Sequence, residues 1–218
     1  MRYAVTRCGL RMNARSGIQS AMMRRSISAE FYGKVRVAAL LVIAGCATAP
    51  QTVPVVTTVY LVRHGEKSTA VANDPDPALT PAGHARAEAL AERLANRGVT
   101  NIISTQWTRT RETARPLAVR LGLTPEIVAS GGSAFADSTA AAVLRHPGAT
   151  LLVVGHSNTI ASVIAALRGP RLPDLCDSEH SNLFVMRIVG TEVPMLIRAH
   201  YGAPDPPADS ACLVMRAR

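Results

Sequence analysis

The chain has 218 residues, a formal net charge of +9, and 48% hydrophobic but only 4% aromatic residues. This length is sufficient for one domain with a substantial core. The first 45 residues hold eight of the 24 basic residues and one of the 15 acidic ones, which leaves 16 against 14 in the remainder. Because that remainder is nearly neutral and has no basic stripe interleaved with aromatic residues, nucleic acid is excluded as a partner.

Residues 1–45 have the features of a targeting segment. Basic residues precede an apolar run from Val37 to Ala44, far shorter than the about 20 residues that a membrane-spanning helix needs. The sequence IAGC at positions 43–46 resembles the bacterial lipobox, in which cleavage precedes a lipid-modified cysteine. We therefore predict a lipoprotein-type signal peptide over 1–45 and lipidation of Cys46. A secretory signal cleaved elsewhere is the alternative, and Met22 or Met23 is an alternative start.

Residues 46–57 have the composition of an extended tether, with prolines and threonines but no helical period. At about 3 Å per residue such a tether reaches about 30 Å. An edge strand over Val55 to Thr58 is the alternative. Ala47 follows the cysteine where inner-membrane retention typically shows Asp, which favours the outer membrane if the source is Gram-negative. We expect a domain over 58–218, facing the periplasm and joined to the membrane by the lipid at Cys46.

The first predicted strand of this domain is the short β-branched and apolar run from Val59 to Val62. It stops abruptly at Arg63-His64-Gly65, as a buried parallel strand does at the edge of a sheet. Ligands of open α/β sheets bind beyond the carboxyl ends of the strands. Gly65 lets the backbone turn there and approach a ligand closely. Arg63, His64 and Glu66 are therefore candidate site residues.

Two further strand ends repeat this arrangement. The apolar run at 102–104 is followed by a segment that contains Arg109, and the run from Leu151 to Val154 ends in Gly155-His156-Ser157. Ser157 is predicted to cap a helix, which would place His156 beside amide donors and the positive end of a helix dipole. Three strand ends thus present polar groups suited to an anion.

Helices are predicted between these strands. Thr80 is a good N-cap with Pro81 at the first helical position. A second helix runs from about Arg109 to Leu121, and Pro116 within it is expected to kink it or delay its regular part. Further along, the pattern predicts a strand over 126–129, an Ala-rich helix over 139–145, and closing strands over 183–189 and 193–199.

The order of Arg63 with His64, then Arg109, then His156 resembles the histidine phosphatase superfamily, which includes the phosphoglycerate mutases. The segments LTPAG at 79–83 and ETA at 112–114 are similar to that family's L-T-x-x-G and Q-T-A-like elements. The resemblance covers about 57–188 and departs from the family at Thr105-Gln106, where Ser-Pro is frequent. It implies an α/β fold, namely a three-layer α/β/α sandwich with a mostly parallel central sheet.

The resemblance also implies a phosphatase without metal or cofactor. A dianionic phosphoryl group needs fixed positive donors and one nucleophile. Arg63 and Arg109 would bind its oxygens with planar, permanently charged guanidinium groups. Neutral His64 would attack phosphorus to give a phosphohistidine, which water then hydrolyses. His156 would stabilise charge in the transition state, and Ser157 beside it is a further phosphate-binding candidate.

The general acid of this reaction has two candidates. Asp137 is a loop carboxylate about where mutase-like members of the family carry theirs, although its Ala-rich setting matches no motif. Glu66 is close to His64 in sequence but is better suited to orienting the arginines or the loop. If neither acts as a strong acid, the enzyme should favour good leaving groups.

Cys176 and Cys212 are the two thiols that remain once Cys8 goes with the leader and Cys46 takes lipid. An oxidising compartment would allow them to pair, but the sequence does not supply the distance between them. Their disulfide is therefore one of two open alternatives.

Three other functions compete with the phosphatase. Phosphoglycerate mutase activity would call for longer substrate-binding insertions than the sequence shows. A catalytically silent anion-binding lipoprotein would not need all four residues of the catalytic pattern, which are Arg63, His64, Arg109 and His156. A zinc hydrolase would need three protein ligands, and two arginines near His64 would repel the cation. We predict a histidine phosphatase acting on a small phosphorylated substrate, such as a sugar or envelope glycolipid phosphate, or on a phosphoprotein.

Overall fold

The computed structural model of the protein describes residues 53–207 and residue 212, so the leader, Cys46 and most of the tether lie outside the described residues. The elements follow one another in the order β1 (Val56–Arg63), α1 (Pro81–Leu94), β2 (Asn101–Ser104), α2 (Thr108–Leu121), β3 (Glu126–Ile127), α3 (Phe135–Leu144), β4 (Thr150–Gly155), α4 (Ile160–Ala166), β5 (Asn182–Val189) and β6 (Met195–His200).

One six-stranded sheet organises the domain, with the strand order β3-β2-β4-β1-β5-β6. Strands β3, β2, β4 and β1 are parallel to one another, whereas β5 pairs antiparallel with β1 and β6 antiparallel with β5. The carboxyl ends of the four parallel strands therefore meet at one edge. Because β5 runs in the opposite direction to β1, the beginning of β5 lies at that same edge.

Successive residues of a strand point to opposite faces of the sheet, so the apolar strands present side chains on both faces. Helices cover both faces and bury these side chains. One core packs β1 and β4 against α3 and α4 and includes Val59, Leu61, Val143, Val153 and Ile164. The other packs the same strands against α1 and α2 and includes Val62, Leu90, Leu117, Leu152 and Val154. The predicted three-layer α/β/α sandwich is thus confirmed.

The first two helices lie close to the predicted positions. Helix α1 begins at Pro81, and the Thr80 hydroxyl accepts a hydrogen bond from the Gly83 amide at 3.1 Å. Helix α2 is continuous through Pro116, so its regular part is not delayed by the proline. It ends at Gly122, whose φ of 66° is the left-handed conformation that commonly terminates a helix.

Other boundaries differ from the sequence-based expectations. Helix α3 begins at Phe135, four residues before the predicted start, and the Phe135 ring is buried in the core. Helix α4 follows Thr159, so the prediction that Ser157 caps it was wrong. Val56 and Thr57, for which the sequence left a tether and an edge strand as alternatives, belong to β1, which lies in the middle of the sheet and not at its edge. Within the described part of the chain, no helix is both long and apolar enough to cross a membrane.

Candidate active site

A cleft of about 290 Å³ lies at the edge of the sheet where β1 and β4 end. It brings together five of the residues singled out in the sequence, namely Arg63, His64, Arg109, His156 and Ser157. Its remaining lining consists of Lys67, Trp107, Ser130, Gly131, Asn158, Thr159 and Asp177. A larger groove of about 750 Å³ runs along α2 and β3 and contains none of these residues.

His64 lies at the bottom of this cleft and is only 3% exposed. Its Nδ1–H donates to the carbonyl of Gly65 at 2.7 Å, which leaves the lone pair on Nε2. Burial lowers the pKa of His64 to about 2, the positive charge of Arg63 acts in the same direction, and the Gly65 hydrogen bond opposes both. The imidazole is therefore neutral at physiological pH and carries its free electron pair at a defined atom.

The turn after His64 is fixed by close packing and by Thr113. A Cβ on Gly65 would lie 2.8 Å from the carbonyl oxygen of Gly83, so no larger residue fits between the turn and α1. The Gly65 amide donates to the Thr113 hydroxyl at 2.9 Å, and this hydroxyl donates to the Arg109 carbonyl at 2.8 Å. Thr113 thus connects the nucleophile candidate to the backbone of the second arginine.

Arg63 is 3% exposed and is held along one side of its guanidinium group. Its Nη1 donates to the carbonyls of Cys176 at 2.7 Å and Asp177 at 2.9 Å, and its Nη2 to the Asp177 carboxylate at 3.1 Å. Its Nε is buried without a hydrogen-bond partner among the described residues. Burial lowers the pKa of Arg63, and the charge of Asp177 opposes this shift.

Arg109 approaches the cleft from the first turn of α2. Its guanidinium carbon lies 5.1 Å from the centre of the Trp107 ring, and its Nη1 lies 3.6 Å from the carboxylate of Asp76. Within residues 53–207, neither its Nε nor its Nη1 makes a hydrogen bond, although both atoms are buried. Arg109 and Arg63 together thus bring unsatisfied N–H donors to one small volume.

His156 follows β4 and is 8% exposed, with its ring 5.4 Å from the His64 ring. Its Nε2 lies 3.2 Å from the Thr105 hydroxyl, which itself lies 2.8 Å from the Thr110 hydroxyl. Burial and the charge of Arg109 lower the pKa of His156 to about 4, so this ring is also neutral. The Thr105 hydroxyl, at a position where the family frequently has Ser, therefore supplies a polar contact to the second histidine.

Neither acid candidate is placed to deliver a proton. Asp137 is exposed in the first turn of α3 and is absent from the lining of the cleft. Glu66 accepts hydrogen bonds from Nε and Nη2 of Arg86 at 2.7 to 3.0 Å. Partial burial acts to raise the pKa of Glu66, but the hydrogen bonds and charge of Arg86 outweigh it and hold the pKa below its usual range.

Sequence reasoning missed a buried polar group behind His64. His180 is 8% exposed, and its Nδ1–H donates to the backbone carbonyl of His64 at 3.0 Å. The Asp205 carboxylate accepts from the amides of His180 and Ser181, both at 2.8 Å. The signal that could have located His180 is its position just before β5, since the beginning of an antiparallel strand lies at the same edge as the parallel strand ends.

The structure joins Cys176 and Cys212 in a disulfide with Cα atoms 5.4 Å apart. Among the described residues, one group of three possible metal ligands is close together, consisting of these two cysteines and Glu179. Since the disulfide occupies both sulfur atoms, this group does not form a metal site in the structure. Cys46, the predicted lipidation site, lies outside the described residues.

Fold and site together define an α/β protein with a cationic cleft around two neutral histidines at its strand ends. A model of the histidine phosphatase superfamily, branch 1, matches residues 59–130. The "Probable phosphoglycerate mutase GpmB" proteins of Yersinia pestis (strain Pestoides F) and Yersinia pseudotuberculosis (serotype O:1b, strain IP 31758) are each 41% identical over 70 residues. That match covers 30% of this chain and 33% of each relative, so the chain spans one third of their length.

Solved structures share the fold at low sequence identity. The protein histidine phosphatase SixA complexed with tungstate has a TM-score of 0.53 at 17% identity, covering 66% of this chain and 96% of that one. Mycobacterial hydrolase 2 has a TM-score of 0.50 at 17% identity, with coverage of 75% and 97%. The chain is thus similar to the histidine phosphatase superfamily over residues 59–130 and shares the fold of these solved structures.

Proposed function

We propose that the protein is a phosphatase that hydrolyses phosphomonoesters or other phosphoryl groups through a phosphohistidine on His64. The observation that carries this proposal is the state of the His64 ring, which is neutral, tethered through Nδ1 and free at Nε2. A nucleophile must offer an electron pair in a fixed direction, and a charged or rotating imidazole would not. This state of the ring supports covalent catalysis by His64.

The arginines provide the binding half of the mechanism. The Nε atom of Arg63 and the Nε and Nη1 atoms of Arg109 are buried without hydrogen-bond partners among the described residues. Leaving a charged donor unpaired in a buried site costs about 1–3 kcal/mol or more. Phosphoryl oxygens would satisfy these donors, and a planar guanidinium binds them in a defined orientation. The cleft therefore favours a phosphoryl group over a neutral ligand.

His156 would act on the charge that develops during transfer. If its Nε2 accepts a hydrogen bond from Thr105, the neutral ring carries its proton on Nδ1 and can donate it to a phosphoryl oxygen. His64 Nε2 attacks phosphorus, the bond to the leaving group breaks, and the phosphohistidine is then hydrolysed by water to release phosphate. Ser157 is a further candidate for binding the phosphoryl oxygens, since it also lines the cleft.

We propose that no metal takes part, because Arg63, Arg109 and Lys67 all line the cleft and would repel a cation. The substrate is a small phosphorylated compound or a phosphoprotein. On the strength of the IAGC sequence at 43–46, we also propose that Cys46 carries lipid and anchors the enzyme in the bacterial cell envelope. The domain would then face the periplasm.

The experiment is turnover of an aryl phosphate by the wild type, by His64→Ala and by His84→Ala, which removes an exposed histidine of α1 as a matched control. We expect His64→Ala to lose essentially all turnover, His84→Ala to keep it, and EDTA to leave the wild type unaffected. Mass spectrometry of the quenched wild type should detect the phosphorylated enzyme. Full activity of His64→Ala would overturn the covalent mechanism, and chelator-sensitive activity would point to a metal.

Phosphoglycerate mutase-type transfer is a second candidate, because relatives with 41% identity over 70 residues carry that name. The measurement that separates the two is product analysis with 3-phosphoglycerate as the substrate. A phosphatase releases inorganic phosphate and glycerate, whereas a mutase gives 2-phosphoglycerate without net release of phosphate. Binding of phosphate without either product would instead indicate a catalytically silent anion-binding lipoprotein.

A further inference from the structure

The segment Leu175–Ser181, here called the strap, contacts both residues at the end of β1. The carbonyls of Cys176 and Asp177 accept hydrogen bonds from Arg63, and His180 donates to the backbone carbonyl of His64. The strap forms no helix or strand and lies between α4 and β5. Its position relative to β1 therefore depends on the contacts that hold the strap itself.

Several ties connect the strap to the C-terminal part of the chain, among them the hydrogen bond from Arg198 Nη2 to the Glu179 carboxylate at 3.1 Å and that from the Tyr201 amide to the Ser181 carbonyl at 3.0 Å. At one end, Asp205 accepts from the amides of His180 and Ser181. At the other end, next to the carbonyls that bind Arg63, the tie is the disulfide between Cys176 and Cys212, whose residues are 1% and 3% exposed. The disulfide is thus the covalent restraint nearest to the Arg63 contact.

Other bonds near Cys176 restrain the strap less directly. The Cys176 amide donates to the Glu179 carboxylate at 2.8 Å, and the Glu179 amide donates to the Cys176 carbonyl at 2.9 Å. Both bonds lie within the strap and shape it, while the Glu179 carboxylate also accepts a hydrogen bond from Nη2 of the half-exposed Arg198 in β6 at 3.1 Å, which is a non-covalent tie. The Leu175 amide donates to the carbonyl of Ser157 at 3.0 Å, which is a single bond to the loop after β4.

We propose that the Cys176–Cys212 disulfide is a positioning element for Arg63, holding its guanidinium group in the orientation that binds the phosphoryl group. The proposal rests on the proposed function for its catalytic consequence. Arg63 donates hydrogen bonds to the strap from both Nη1 and Nη2, whereas its Nε is buried without a hydrogen-bond partner among the described residues and remains available to a phosphoryl oxygen. Without the disulfide, the carbonyls still exist but no longer stay at a fixed place, so Arg63 samples orientations unsuited to phosphate.

The test compares the full chain with the double variant Cys176→Ala and Cys212→Ala. Because Arg63 contacts the backbone carbonyls of Cys176 and Asp177 and the carboxylate of Asp177, these substitutions remove the tie but leave all three hydrogen-bond acceptors present. We expect the inhibition constant of inorganic phosphate and the KM for an aryl phosphate to rise about tenfold, the size expected for one charge-assisted hydrogen bond. The kcat should change less than KM.

Two controls separate positioning from a general loss of stability. In an Arg63→Ala background, removal of the disulfide should change phosphate binding, measured by calorimetry, less than about twofold, because the residue through which it acts is missing. Leu94→Ala, a core change at the far end of α1, should lower the melting temperature without weakening phosphate binding. An unchanged phosphate constant in the double variant, or equal losses in both arginine backgrounds, would overturn the proposal.

A measurement on the wild type keeps the proposal testable if the double variant does not fold or if the protein proves inactive. In NMR spectra of the oxidised wild type, the Arg63 Nη1 protons should be protected from exchange, whereas those of the exposed Arg97 should not. Arg63 protons that exchange like those of Arg97 would show that the strap does not hold the guanidinium group. This readout needs no turnover, so it separates failure of the positioning role from failure of the proposed phosphatase function.

Discussion

The dependence of turnover on the leaving group tests whether the cleft contains a general acid. A sugar alkoxide needs a proton as it leaves, and a placed acid typically contributes about 10²–10⁴-fold. Glu66 is unsuited to supply it, since the hydrogen bonds and charge of Arg86 outweigh the effect of partial burial and hold the pKa of Glu66 below its usual range, which favours the ionised form. Asp177, which also lines the cleft, is engaged in an ion pair, since Arg63 Nη2 donates to its carboxylate at 3.1 Å.

The assay is log kcat/KM for phosphate esters of graded leaving-group pKa, measured for the wild type, Asp137→Asn and Glu66→Gln. We expect a steep negative slope for the wild type and the same slope for both variants. Alkyl phosphates should be disfavoured against aryl phosphates by about the factor that general acid catalysis would otherwise supply. Glu66→Gln should lose stability because it removes the charge opposite Arg86, so its slope must be measured at a temperature where it remains folded.

The refuting result is a shallow slope in the wild type that becomes steep in one of the two variants. That pattern would identify the variant residue as the acid, and for Asp137 it would require α3 to approach the cleft. A shallow slope unchanged in both variants would also contradict the reasoning, since it would show that a group other than these two carboxylates protonates the leaving group.

Three further predictions concern stability and targeting. The free energy of unfolding should fall as the pH drops from about 6.5 towards 4. The reason is that His64 and His156 have pKa values of about 2 and about 4 in the folded protein, so the unfolded chain takes up more protons over this range. Denaturant titrations should show the free energy of unfolding falling by up to about 1.4 kcal/mol per pH unit for each histidine. Constant stability over this range would contradict the prediction. Arg86→Ala should lower the free energy of unfolding by about 3 kcal/mol, because it leaves the partly buried Glu66 without its ion-pair partner. In the same titration, Arg97→Ala at an exposed position should lower it by less than about 0.5 kcal/mol. Cys46→Ser, but not Cys8→Ser, should abolish lipid labelling and membrane fractionation, and an intact mass without acyl chains in the wild type would disprove the anchor.

The residues that sequence reasoning placed together are those whose position depends on strand direction. Arg63, His64 and His156 directly follow apolar runs, and parallel strands that end in the same direction bring their following residues to one edge. Arg109 follows β2 by a short loop and is brought to the same edge. These placements need no knowledge of side-chain packing, only the recognition of three strands and their parallel order.

The residues that sequence reasoning missed depend on tertiary partners. Arg86 lies one position before Ala87 on the buried face of α1, and a charged residue there is usually assigned to solvent. It is nevertheless 4% exposed, because its donors are satisfied by Glu66 and by the carbonyls of Tyr201 and Ala203. Since those carbonyls come from the far end of the chain, no local pattern could reveal them.

Asp137 shows the opposite error. The sequence predicted Asp137 as a loop carboxylate and a candidate acid. In the structure Asp137 lies in the first turn of α3, where its negative charge interacts favourably with the positive end of the helix dipole. The start of α3 is decided by burial of Phe135 in the core rather than by the alanines on which the prediction relied. The change of four residues at the helix start moves Asp137 from a loop to an exposed helix position.

The antiparallel direction of β5 explains why no sequence motif marks the groups that support Arg63 and His64, namely the carbonyls of the strap and His180. A parallel strand in this position would have ended at the cleft, and its last residues would have formed another recognisable strand end. Because β5 instead begins there, the chain must first cross the edge of the sheet as the irregular strap, and it supports Arg63 and His64 with backbone carbonyls and with His180. Backbone carbonyls place no demand on residue type, so apart from the Asp177 carboxylate the support for Arg63 depends on where the strap is tied, and the one covalent tie shown within it is at Cys176.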